Sequence, residues 1–127
     1  MAKATKISES KKQEDNLSQI FARENLANKL MEIEGDYIQA LGIYEQTVKD
    51  KEKLLGKEDS QYLMSLKVLA WLSEVTGDYK RAIGIYELTN DFLRLAGVYR
   101  SLGEQQRALE ILKKLETKNK DDYSEKN

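Results

Sequence analysis

The strongest constraint on this chain is a phrase that it contains twice. Gly35 to Thr47 reads GDYIQALGIYEQT, and 42 positions later Gly77 to Thr89 reads GDYKRAIGIYELT, so nine of thirteen positions are identical. A weaker echo, GEQQRALEIL from Gly103 to Leu112, keeps the glycine, the alanine five residues on and an apolar residue nine on. Self-similarity at a period of roughly 20–50 residues marks stacked repeats, in which each unit needs its neighbours to cover an apolar face.

The repeats are helical. Apolar residues fall three and four apart at Leu17, Ile20, Phe21, Ala27, Leu30, Met31 and Ile33, predicting a first helix over about 17–34 that ends at Gly35. Asp36 stands as an N-cap, and Tyr37, Ala40, Leu41, Tyr44, Val48 and Leu55 form the stripe of a second helix closed by Gly56. A third helix over 60–76 is capped by Asp59 or Ser60 and is apolar over most of its circumference, as the middle of a stack requires. Gly77-Asp78 repeats the turn into a fourth helix from Tyr79 to about Leu88. Residues 78–101 read either as one long helix or as two; Asn90 and Asp91, poor inside a helix and good at its ends, favour a break before a fifth helix that runs up to Gly103. Ala108, Ile111, Leu112 and Leu115 mark a sixth. With no proline and no alternating strand pattern, the fold class is all-α: three antiparallel helix pairs over 17–116, flanked by polar tails at 1–16 and 117–127 that have too little apolar content to order.

Composition narrows the function. The chain has no cysteine and no histidine, which removes thiolate metal sites, disulfides and the commonest general base. No phosphate-binding loop or nucleophile with a base is present, so no enzyme, no metal and no cofactor are expected. The 21 basic and 22 acidic residues are interspersed, against a nucleic-acid footprint. No apolar run reaches the roughly 20 residues of a membrane span, and no signal-peptide core opens the chain, so a cytoplasmic location without membrane partners is expected.

The residues Leu95, Ala96, Tyr99, Gly103 and Ala108 resemble the tetratricopeptide repeat, as do Leu69, Ala70, Gly77, Asp78, Tyr79, Ala82 and Tyr86, and Ala27, Gly35, Asp36, Tyr37, Ala40 and Tyr44. The 42-residue period and the link Lys53 to Asp59 are similar to the long-helix variety found in kinesin light chains; Asn28, Ser73 and the missing repeat-ending proline depart from the pattern. The resemblance implies a short right-handed α-solenoid whose first helices line a concave groove that holds a peptide or a partner helix.

On that groove, Asn25, Lys29 and Glu32 lie at i, i+4 and i+7, and 42 residues on they become Lys67, Trp71 and Glu74, with Met64 one turn before. Tryptophan and basic residues supply much of the energy of protein interfaces, so this stripe is the candidate contact surface. The carboxylate clamp of chaperone-binding family members would fall on Asn25, Lys29, Val68, Asn90 and Arg94, where only Arg94 agrees. Tail capture of that kind is therefore not expected, and Arg94 is kept as a contact residue for an acidic partner. A protein-binding adaptor is the leading expectation. The alternative is an assembly protein that homodimerises or docks on a larger complex through Ala108, Ile111, Leu112 and Leu115 of its last helix.

Overall fold

The computed structural model describes the backbone of residues 2–126 and the side chains of residues 11–120. It contains six α-helices: α1 (Ala2–Lys29), α2 (Tyr37–Leu55), α3 (Ser60–Val75), α4 (Tyr79–Leu88), α5 (Phe92–Ser101) and α6 (Gln105–Lys126). A π-helical turn, Leu30–Glu34, follows α1, and no strand occurs among the described residues. The substantial packing contacts run between consecutive helices, from α1 on α2 through to α5 on α6. No described helix is long and apolar enough to cross a membrane.

Each helix contributes one buried alanine to the core. Ala27, Ala40, Ala70, Ala82, Ala96 and Ala108 are all buried to 2% exposure or less, and larger side chains fill in around them: Tyr44, Leu66, Leu72, Tyr86, Val98 and Tyr99. A methyl group lets two helix backbones approach, and a neighbouring large side chain then closes the gap, as ridges close into grooves.

The helix ends follow from their residues. The side chains of Asp36, Asp59 and Asp78 accept backbone hydrogen bonds from Gln39, from Gln61 and Tyr62, and from Arg81 respectively, satisfying otherwise orphaned N–H groups. Three turns share one pattern. The N–H groups of Asp78, Asp91 and Glu104 donate to the carbonyls of Ser73, Tyr86 and Tyr99, five residues back, while Gly77, Asn90 and Gly103 each donate three residues back. The middle residue is left-handed in every case, with φ 93° at Gly77, 56° at Asn90 and 80° at Gly103. Asparagine thus substitutes for glycine in one of three equivalent turns, and residues 78–101 are two helices.

The first turn differs. The π segment widens it, so that Asp36 N–H reaches six residues back to the carbonyl of Leu30 at 2.9 Å. Helices α1 and α6 also extend through the stretches 2–16 and 117–126 that the composition marks as polar tails. Neither stretch contains glycine or proline, and Lys, Glu, Gln and Ala are good helix formers. Lys11 to Asp15 and Glu116 to Lys120 are exposed along these extensions; the side chains of 1–10 and 121–127, including Lys3 and Lys6, lie outside the described residues.

One buried polar cluster joins three helices. Lys51 on α2, 3% exposed, pairs with Glu24 of α1 at 2.6 Å and donates to Ser65 Oγ of α3 at 2.8 Å, while Ser65 donates back to Glu24 at 2.7 Å. The ammonium also lies 5.2 Å from the centre of the Phe21 ring. All the groups are satisfied, so the cluster fixes the register of α1, α2 and α3 as long as every partner stays.

Two outcomes follow. Lys51→Met, which leaves Glu24 without its counter-ion, lowers unfolding free energy in denaturant titrations by about 3 kcal/mol, and adding Glu24→Gln recovers most of the loss. Asn90→Gly leaves stability unchanged or raised, whereas Asn90→Val, forced into the left-handed region, costs about 1–2 kcal/mol in the same assay.

Candidate functional site

Helix α3 presents one exposed edge between its buried faces. Leu66, Leu69, Ala70, Leu72 and Ser73 are buried, while Met64, Lys67 and Trp71, at i, i+3 and i+7, face outward. Met64 is 67% exposed and Trp71 37% exposed. The Trp71 ring is held on one side by Tyr37, the first residue of α2, in an edge-to-face contact with centroids 5.7 Å apart and planes at 75°. This arrangement holds the indole while leaving about a third of the residue's surface exposed, 37%.

Arg94, on the first turn of α5, reaches the same place. Lys67, Val68, Trp71 and Arg94 together line a depression of about 310 Å³. Two cations and an indole surround it, and Arg94 is paired only loosely, with Asp91 at 3.7 Å. Three of the eight residues singled out by spacing therefore converge: Lys67, Trp71 and Arg94. Met64 is exposed on α3 but does not line the depression.

The other four are placed differently. Asn25 and Lys29 are exposed on α1 and do not line the depression at Trp71. Glu32 is exposed within the π turn, so it does not continue their stripe with the α-helical spacing that Lys67, Trp71 and Glu74 keep. The equivalence of the two stripes ends there, because a π turn shifts every following side chain around the axis. Glu74 is turned inward: its Oε2 accepts a hydrogen bond from the hydroxyl of Tyr86 at 3.0 Å.

That hydroxyl sits on a fully buried ring, and burial, with the Glu74 carboxylate as acceptor, pushes the Tyr86 phenol up to about 12 against the pull of Arg94. Glu74 thus supports the site from behind rather than facing a ligand. The equivalent Tyr44 donates instead to Asn28 Oδ1 at 2.9 Å, and burial together with the charge of Glu24 raises it to about 12 as well. Identical positions in the repeat use different partners because Asn28 in the first unit is answered by Ala70 in the second.

Sequence reasoning missed the Lys51, Glu24 and Ser65 cluster. Its signal was available, since Lys51 falls on the apolar stripe of Tyr44, Val48 and Leu55, where a lysine has to be paired. Among the described residues no group of three His, Cys, Asp or Glu side chains is placed to hold a metal.

Phenolate absorbance checks the two tyrosines. Their ionisation is held off in the folded chain but begins near 10 in the unfolded one. Their contribution to stability is therefore complete below about pH 10 and is lost as the pH rises toward 12. Tyr44→Phe and Tyr86→Phe each remove one late-titrating tyrosine and flatten the fall in stability across that window.

No protein-family model and no curated protein matches this chain, so its role is argued from the geometry of Lys67, Val68, Trp71 and Arg94.

Proposed function

We propose that this protein is a non-catalytic interaction module of the tetratricopeptide-repeat type, which binds a segment of a protein partner on the face formed by α1, α3 and α5. The observation that carries the reading is the convergence of Lys67 and Trp71 with Arg94, 27 and 23 residues away in sequence, around one depression. The repeated turns, the one buried alanine per helix and the consecutive packing of helix pairs support the repeat architecture.

The chemistry of the depression selects its occupant. An apolar side chain of the partner covers the free surface of Trp71, and a carboxylate sits between Lys67 and Arg94. The indole is already positioned by Tyr37, so little side-chain entropy is lost when it is covered. The cations steer an acidic segment toward the face and set its register.

Trp71 is the only tryptophan, so its fluorescence reports the site directly. Acidic partner peptides are expected to shift and quench that emission. Trp71→Ala weakens binding, measured by calorimetry, by about 2 kcal/mol or roughly 30-fold. Lys67→Glu weakens it and reverses its salt dependence, with the circular dichroism and melting of both variants close to those of the parent. Variants that fail to fold, or that bind unchanged, overturn the reading.

A further inference from the structure

A larger depression than the one at Trp71 lies along α6. It measures about 450 Å³, within the range of roughly 300–1,000 Å³ typical of ligand sites. Its floor is Phe92, Leu95 and Tyr99 of α5 with Ile111 and Leu115 of α6. Around the rim stand Arg107, Lys114 and Lys118 of α6, with Glu110 beside them and Glu87 at the end of α4.

The repeat explains why this space is open. Helix α4 is held to α2 by Arg81, whose Nη1 donates to Glu45 at 2.7 Å. Counting from the turn glycines, Arg107 is the counterpart of Arg81, and Glu87 is the counterpart of Glu45. The face that α6 turns toward α4 thus corresponds to the face that α4 turns toward α2. Past Glu45, however, α2 continues to Leu55, whereas past Glu87 α4 ends at Leu88. Helix α2 has 19 residues and α4 has 10, while α6 runs on beside the gap. From Arg107 to Lys118, α6 flanks the depression for about 16 Å, and among the described residues only α5 packs substantially on it, leaving unfilled the place that the end of α2 takes one unit earlier. Arg107 meanwhile lies over the Tyr99 ring, 5.1 Å from its centre, and pairs at 3.6 Å with Glu104 rather than with Glu87.

We infer that this groove docks an acidic amphipathic helix of a partner protein, two to three turns long, that takes the place of the missing turns of α4. Its apolar stripe rests on Phe92, Tyr99, Ile111 and Leu115. Its carboxylates face Lys114 and Lys118, neither of which forms an ion pair among the described residues. The N-terminal half of the rim is balanced, because Glu87 and Glu110 answer Arg107; among the described residues the other half is basic only. A second copy of this chain would bring the same basic rim to the same groove, so charge selects a different, acidic partner over self-association.

The test uses the full chain with two synthetic stapled helices of about fourteen residues, long enough to span the groove. Both carry leucines at i, i+3, i+4 and i+7; one has glutamates and the other lysines at the remaining positions. The acidic helix is expected to bind, with amide shifts in heteronuclear NMR gathered at Phe92, Tyr99, Ile111 and Leu115. The double variant Lys114→Glu, Lys118→Glu weakens it about tenfold and gains affinity for the basic helix. Both lysines are exposed, so the variant retains its fold, which circular dichroism verifies. Equal binding of the two helices, shifts centred on Lys67 and Trp71, or an unaffected double variant overturns the inference. So does a dimer in sedimentation that the double variant dissolves, since the groove would then belong to a second copy.

Discussion

Everything in this fold depends on how closely consecutive helices approach, and that distance is set by six alanines. A single added methylene at Ala40, Ala82 or Ala108 would push two backbones apart, and the tyrosine or leucine beside each would no longer close the gap. Because one such residue occurs on each helix, spacing is regulated step by step along the chain. The exposed edge of α3 follows from this. Once Leu66, Leu69, Ala70, Leu72 and Ser73 are committed to packing on two sides, Lys67 and Trp71 have only the open side left.

Much of this was legible in the sequence because helix ends have chemistry of their own. Asp36, Asp59 and Asp78 accept from the first turns, Gly77 and Gly103 enter the left-handed region, and Asn90 follows them there, so the division of residues 78–101 into two helices could be read from one dipeptide. What spacing could not give was any departure from regular geometry. The π turn at Leu30–Glu34 has no composition signal, yet it removes Glu32 from the stripe that Asn25 and Lys29 begin. Nor could spacing tell that Glu74 faces the Tyr86 hydroxyl, because side-chain direction depends on a neighbour twelve residues away.

The two depressions are of different origin. At Trp71, the site is built by side chains displayed on finished helices, and its chemistry is that of an indole between two cations. Along α6, the opening exists because a helix stops early, so the cavity is a missing piece of backbone rather than a set of displayed groups. Surfaces of the first kind read a residue or two of a partner; those of the second kind accept an element of secondary structure.

The consecutive pattern of contacts has a kinetic consequence. A chain in which helices pack mainly on their neighbours in sequence closes no long loop on the way to its folded state, so its relative contact order is low and its folding is fast. Stability in such a chain is close to a sum of nearest-neighbour terms, and opening starts from whichever end has fewest neighbours. The buried Lys51 cluster anchors α1, α2 and α3, whereas α6 has its substantial contacts with α5 alone. Amide exchange should therefore spread inward from the C-terminal helix, leaving the first three helices as the slowest-exchanging core.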